Sequence, residues 1–168
     1  MHSVLHARQN TFLDLSHLGN FFLSNIHGLY ILLHLLAAAR SGCLSRQVGC
    51  VIVNNNRIIA TGYNAAPIGV KECTDRGYCL RRNCPSGTNL EKCFAVHAEQ
   101  NALAQCAKYG ISCEGATLYV TTQPCTRCLK MIINAGIKEV VFLEAYSDEL
   151  SLYLAKESGM DIRQFTRK

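Results

Sequence analysis

GATLYVTTQPCTRCLKMIINAGIKEVVFL, residues 115–143, is the stretch whose reading decides the fold. ATLYVT (116–121) and EVVFL (139–143) are short runs rich in β-branched and aromatic residues, the composition of strands. Between them, residues 126–135 read as a helix that Gly136 ends. A strand, a helix and a strand in so short a span favour a right-handed parallel crossover. The same order continues downstream, with a helix over 148–158, Gly159 at its end, and MDIRQF (160–165) as a last strand. Upstream, QVGCVIVN (47–54) and RIIATGY (57–63) are joined through Asn54, Asn55 and Asn56, whose side chains tolerate turn conformations, and this predicts an antiparallel hairpin. With further helices expected over 29–39 and 97–109, the chain reads as a three-layer α/β/α domain. Its sheet is mixed and five-stranded, with an antiparallel N-terminal hairpin and parallel C-terminal strands.

At 168 residues the chain suits one domain with a full core, and it contains no stretch resembling an interdomain linker or an internal repeat. Residues 29–168 are taken as that domain and residues 1–28 as an N-terminal extension. LYILLHLLAAA (29–39) is too short to span a bilayer. Its small-residue end resembles a signal-peptide cleavage region, but it sits far inside the chain with only Arg8 as a clear upstream cation. A buried core helix is expected there, with His34 as a core or interface histidine. Ten cysteines would suit a secreted disulfide scaffold, yet their spacings read as metal sites and the strand–helix alternation is that of an intracellular enzyme. The expected location is the cytoplasm. A formal charge of +5 without any run of Lys or Arg fits an anionic small substrate at least as well as a polynucleotide.

The chemical signal lies in His97, Glu99, Cys125 and Cys128. Cys125 and Cys128 follow Pro124 three residues apart, so a helix starting there aims both sulfurs to one side, where its amide groups favour thiolates. His97 and Glu99 open another helical stretch, and their i, i+2 offset lets both reach one centre without both binding it. One imidazole and two thiolates fill three positions of a tetrahedral zinc site and leave the fourth for water, whose pKa such a zinc lowers to about 7. Glu99, beside that position, can then work as general base and general acid. A C-x-x-C alone also occurs in redox motifs and in structural zinc sites. A closed four-ligand site would leave Glu99 without a task, and a redox pair explains neither His97 nor Glu99. H-x-E followed by P-C-x-x-C matches the signature of the zinc nucleobase deaminases.

Longer segments extend the match: RSGCLSRQVGCVIV, ATGYNAAPIG, CTDRGYC, CFAVHAEQNALAQCAKYGIS, GATLYVTTQPCTRCLKMIINAGIKEVVF and EAYSDE. From about Leu29 onward the chain resembles the deoxycytidylate (dCMP) deaminases and the late-competence deaminase proteins of the cytidine deaminase-like superfamily. The resemblance implies a catalytic zinc on His97, Cys125 and Cys128, with Glu99 shuttling protons. The implied reaction is hydrolysis of a cyclic amidine C–N bond, dCMP to dUMP with release of ammonia, which supplies dUMP for thymidylate synthesis. It also implies that Asn64 contacts the nucleotide, its amide suiting a sugar hydroxyl, and that Tyr146 lies near the substrate. For the 5′-phosphate the sequence offers Ser45, Arg46 and Arg127; Arg46 is preferred, since Arg pairs bidentately with phosphate. A homo-oligomer is implied as well, with no membrane and no nucleic acid as partner. Members of the family often bind dCTP and dTTP as regulators, but here Ala65 replaces the first Gly of that loop, and a Cβ there resists φ > 0 and close backbone approach. The family usually opens with a Trp and acidic residues; this chain has no Trp and presents HGLYILLHLL, a face suited to a partner subunit.

Residues 64–96 carry cysteines and glycines without clear periodicity and are long for a structureless loop, so something must hold them. By the resemblance, Cys43, Cys73, Cys79 and Cys93 form a second, structural zinc site, with Cys84 the substitute if one of the four is wrong. Four thiolates would close such a site, and a metal clip would offset the closure entropy of the loop. Independent thiols are the competing reading. Cys50, Cys106 and Cys113 are expected to be core or surface residues without metal. The competing functions are deamination of dCTP, of a riboflavin-pathway pyrimidine or of adenosine in tRNA, and a catalytically idle zinc module acting in competence. A tRNA editor needs an extended basic surface that the sequence lacks, and an idle module gives Glu99 nothing to do.

Overall fold

A computed structural model describes residues 26–85 and 87–166. Residues 1–25, most of the expected extension, lie outside the described residues.

Asn55 and Asn56 adopt φ of 48° and 60°, so the turn between Gly49–Asn54 (β1) and Arg57–Tyr63 (β2) uses the left-handed region that Asn tolerates. The two strands pair antiparallel, and β1 also pairs antiparallel with Thr117–Thr122 (β3). Glu139–Glu144 (β4) and Asp161–Gln164 (β5) then add in parallel, giving the order β2-β1-β3-β4-β5. The expected mixed sheet is thus present strand for strand. Ile26–Ala38 forms α1, Ala98–Tyr109 α3, Thr126–Asn134 α4 and Glu149–Ser158 α5; the loop before α3 holds a four-residue helix, Cys73–Arg76 (α2), and a short 3₁₀ turn, Leu90–Lys92. Among the described residues helix α1 includes Ile26, His27 and Gly28, which belong to the stretch set apart as an extension.

Strand alternation sorts the core onto two faces. Cys50 and Ile52, Leu118 and Val120, and Val140 and Phe142 face α3 and α4, where Ala98, Ala102, Leu103, Cys128 and Ile132 meet them. Val51, Val53, Tyr119 and Val141 face the other way, against Tyr30 and Ile31 of α1. These are the three layers. Each fully buried Val, Ile or Leu contributes about 1.5–3 kcal/mol, and the central strands are buried on both sides.

Two glycines set how closely the layers approach. A Cβ on Gly49 would sit 2.0 Å from the His34 carbonyl oxygen, so α1 rests its backbone directly on β1. A Cβ on Gly62 would sit 2.1 Å from the Ala98 carbonyl oxygen and 2.8 Å from the Ala102 nitrogen, so the first turn of α3 lies equally close on β2. His34 is fully buried in α1, and burial pushes its imidazole down to about 4, which keeps it neutral. It is a core histidine. Among the described residues no helix is long and apolar enough to cross a membrane.

The loop from 64 to 96 is held by contacts that no periodicity announces. Ala65 and Val96 exchange backbone hydrogen bonds at 3.2 and 2.8 Å, which pins both ends of the loop together. Glu72 accepts from Ala66 N, the Thr74 N–H donates to the Gly42 carbonyl, and Arg76 stacks 4.3 Å over the Phe94 ring. Ala65 is absent from the positive-φ positions, whereas Gly69 takes φ 85°. Ala at position 65 is therefore unstrained here, because its backbone is extended and paired.

Candidate metal centre and its pocket

Two helix starts converge. His97, in extended conformation with φ −67° and ψ 155°, is the N-cap of α3. Its N–H donates to Gln100 Oε1 at 3.2 Å, and Asn101 Nδ2 donates to the Tyr63 carbonyl at 2.8 Å, fixing this helix start to the end of β2. Cys125, with φ −70° and ψ 163°, is the N-cap of α4, and Cys128 lies one turn on. Their sulfurs stand 3.6 and 3.3 Å from His97 Nδ1. A nitrogen about 2.0 Å and a sulfur about 2.3 Å from one tetrahedral zinc are themselves about 3.5 Å apart. The donor set and its spacing therefore fit zinc. The three ligand atoms lie within 4.8 Å of one another, the one such group among the described residues.

Charge within the group is shared. A hydrogen bond from Cys128 pulls the Cys125 thiol down to about 4, burial opposing and His97 adding to the pull. The same hydrogen bond, then burial, pushes Cys128 far up. Binding of a zinc ion would release the protons that the thiol pair retains. Bonding to Cys125 raises His97, against burial. Glu99 is 4% exposed; burial raises its carboxyl, and His97 works against that rise. A carboxylate held above its ordinary value is suited to taking up and returning a proton near neutral pH.

A cavity of about 310 Å³ opens on this centre, and His97, Glu99 and Cys125 form part of its lining. Asn64 lines it too, 9% exposed, with both ends of its amide engaged: Oδ1 accepts from Val48 N at 2.7 Å and Nδ2 donates to the Arg46 carbonyl at 2.8 Å. One further donor and one further lone pair are left. Asn64 therefore shapes the 46–48 segment, a task the sequence reading did not foresee. Ser45, Arg46 and Tyr146 line the cavity; Arg127 does not, being exposed on α4 outside the lining. The Tyr146 hydroxyl would lie 2.8 Å from a Cβ on Gly87.

Arg81 is a lining residue that the sequence reading missed. Its Nε donates to the Thr88 carbonyl at 3.0 Å, its terminal nitrogens have no hydrogen-bond partner among the described residues, and its charge is felt at His97. Among the described residues neither Arg46 nor Arg81 is paired with a carboxylate. The only available signal was the pair Arg81–Arg82 in an otherwise featureless loop.

The second cysteine set is gathered but not closed. Cys73 is buried, and its thiol is raised to about 11 by burial, then by Cys79, Cys43 and Cys93, so all four lie within electrostatic reach. Their sulfurs do not come within the mutual 4.8 Å of the first group. Cys84 lines the cavity, accepting from Asn89 Nδ2 at 3.7 Å. Cys50, Cys106 and Cys113 are buried in the core.

A profile of the cytidine and deoxycytidylate deaminase zinc-binding region matches residues 25–144. The deoxycytidylate deaminase of Saccharomyces cerevisiae is 44% identical over 132 residues, which make up 78% of this chain and 42% of that protein. ComE operon protein 2 of Bacillus subtilis is 41% identical over 133 residues, 78% of this chain and 66% of that protein. The chain thus spans about two fifths of the yeast relative's length and about two thirds of the bacterial one's. The solved dCMP deaminase from the cyanophage S-TIM5, in complex with dCMP and dUMP, is 30% identical, with a TM-score of 0.71 over 83% of this chain and 96% of that one.

Proposed function

This chain belongs to the cytidine and deoxycytidylate deaminase family, and from that membership we propose that it hydrolyses dCMP to dUMP and ammonia. The observation that carries the reading is His97, Cys125 and Cys128 meeting at the edge of a cavity beside a buried Glu99. His97, Cys125 and Cys128 would hold a zinc ion, which would supply Lewis acidity and lower the pKa of a water to about 7. Glu99 would take a proton from the attacking water and deliver it to N3 of the cytosine ring as the oxygen adds to C4. It then moves the hydroxyl proton at C4 to the amino group, which departs as ammonia, so one carboxylate handles both transfers. Burial excludes bulk water from Glu99 and holds its proton ready.

Arg46 and Arg81, cationic and without carboxylate partners among the described residues, suit the 5′-phosphate, with Ser45 as a further donor. Asn64 offers its spare donor and acceptor to the sugar, and Tyr146 borders the nucleotide. Cys43, Cys73, Cys79 and Cys93 are proposed as a structural zinc site, supported by their gathering around the buried Cys73. The protein is taken to act in the cytoplasm as a homo-oligomer.

Loss of the cytosine ultraviolet band, followed on dCMP, dCTP, cytidine and a tRNA anticodon stem, tests the substrate. Turnover of dCMP well above the others is expected; reaction of RNA alone overturns the reading. Metal analysis should give two zinc per chain, and a value of one removes the structural site.

A further inference from the structure

The turn that carries the thiolates is tied at Gln123, Pro124 and Thr126 to the end of β4 and the residues that follow it. Gln123 N donates to the Glu144 carbonyl at 2.9 Å, and Tyr146 N donates to Gln123 Oε1 at 3.4 Å. The hydroxyl of Ser151, fully buried, donates to the Pro124 carbonyl at 2.8 Å. Thr126 gives both its donors to Asp148: its N–H to Oδ2 at 2.8 Å and its Oγ1–H to Oδ1 at 2.6 Å. Asp148 Oδ1 also accepts from Ser151 N at 3.1 Å. Cys125 is thereby held between two anchored neighbours, and one carboxylate caps the first turns of two helices.

We propose that Asp148 is a positioning residue for the metal centre: it locks the first turn of α4, which bears Cys125 and Cys128, to the first turn of α5, and so fixes the thiolate pair against His97. The choice of side chain follows from donor counting. Three donors from two helices converge on two oxygens, so both oxygens must accept. An Asn in the same place loses one of the two backbone caps, because either orientation of its amide turns an NH₂ group toward a backbone N–H, of Ser151 or of Thr126. A carboxylate is the side chain of this length that serves both. The ligand turn then owes its placement to a residue downstream of the metal-binding motif, in the EAYSDE segment, and Ser151 secures it a second time through Pro124. The arrangement resembles the outer-shell bonds that orient ligands in metalloproteins, acting here through the helix that bears them.

This inference rests on His97, Cys125 and Cys128 as zinc ligands, and its test reads the metal rather than turnover. Zinc-loaded full-length protein is challenged with a chromogenic chelator, and the release rate is compared for the parent, Asp148→Ala, Asp148→Asn and Ile162→Ala. The last variant weakens the core at β5 without touching either helix cap. Both Asp148 variants should release zinc about 10- to 100-fold faster than the parent. Their cobalt(II)-substituted forms should show shifted thiolate charge-transfer bands, while Ile162→Ala keeps the parental spectrum. Release from the Asp148 variants no faster than from Ile162→Ala, measured at equal distance below the respective melting temperatures, overturns the proposal. If Asp148→Ala does not fold, Asp148→Asn decides on the same criterion. A parent protein that carries no zinc overturns the ligand reading and this inference together; one that carries zinc and shows no change in release overturns the inference alone.

Discussion

Replacing Gly62 by Ala should damage stability and chemistry at once, and the size of both effects follows from one contact. The new Cβ would lie 2.1 Å from the Ala98 carbonyl oxygen and 2.8 Å from the Ala102 nitrogen, both backbone atoms, where real Cβ atoms keep beyond 3.0 Å. Neither partner can swing aside as a flexible side chain would. Helix α3 must therefore withdraw from β2 by about 1 Å, and Ala98 stands between His97 and Glu99, so ligand and proton carrier move with it. Overpacking of this kind costs about 1–3 kcal/mol, which for a domain of this size lowers the melting temperature by about 2–12 °C. A displacement of about 1 Å at a reacting group costs about 100-fold in rate, or roughly 2.7 kcal/mol of barrier. Calorimetry measures the first effect, and ultraviolet turnover of dCMP with parallel zinc analysis measures the second. Gly69→Ala is the control: it puts Ala at positive φ, 85°, a strain that Gly62 does not carry, but meets nothing within 4 Å, so it should lose about 1 kcal/mol of stability and keep parental turnover. A Gly62→Ala protein that melts within about 1 °C of its parent and retains more than about half its turnover refutes the claim that this close approach sets the site.

Glu99→Gln preserves shape and removes the proton carrier, so turnover should fall by about 10²–10⁴-fold while zinc content stays constant; retained turnover removes Glu99 from the mechanism. Arg81→Ala should raise KM for dCMP by about 10-fold or more and leave cytidine turnover unchanged, since a charge-assisted bond to phosphate is worth about 1.5–3 kcal/mol; equal losses on both substrates would place Arg81 outside the phosphate subsite. Acid unfolding should report Asp148: burial raises its carboxyl, bonds from Thr126 and Ser151 more than reverse this, and the folded value lies below 3.8. Its contribution is present above pH 3.8 and lost as pH falls through the depressed folded value, so Asp148→Asn should flatten the pH dependence of the melting temperature in that window, and an unchanged slope contradicts the capping role.

The parts that were legible in the sequence are those whose signals are local. Asn54, Asn55 and Asn56 announced the hairpin because the turn conformation is chosen by the residues that make it. Pro124 and the three-residue spacing of Cys125 and Cys128 announced a helix start with both sulfurs on one side, and His97 with Glu99 did the same for α3. Each motif carries its own helix end, so each could be oriented before its neighbour was known. Periodicity fixed the strands to within one or two residues, with ends blurred where caps such as His97, Cys125 and Asp148 belong to neither loop nor helix.

The outer half of the pocket was illegible for a physical reason: its order is long-range. Residues 64–96 are held by Ala65 pairing with Val96, Thr74 reaching Gly42, Glu72 accepting from Ala66 and Arg76 stacking on Phe94, contacts with no common period. Arg81 is carried to the cavity by that loop, and nothing in Leu80, Arg81 and Arg82 distinguishes it from a solvated surface pair. Arg127 errs in the opposite sense: it sits inside the most readable motif of the chain, yet helical geometry fixes both sulfurs on the side facing His97 and leaves Arg127, two residues past Cys125, on the exposed one. Asp148 shows the same limit at one residue. The sequence places Asp148 at the start of the helix over 148–158, and the structure makes it the N-cap of α5; that the same carboxylate also takes Thr126 depends on the crossover bringing two helix starts side by side. A motif can say which atoms will bind a metal, but the rigidity with which they are held is a property of the packing between motifs. In this chain that rigidity is concentrated in Gly62 under one ligand helix and Asp148 beside the other.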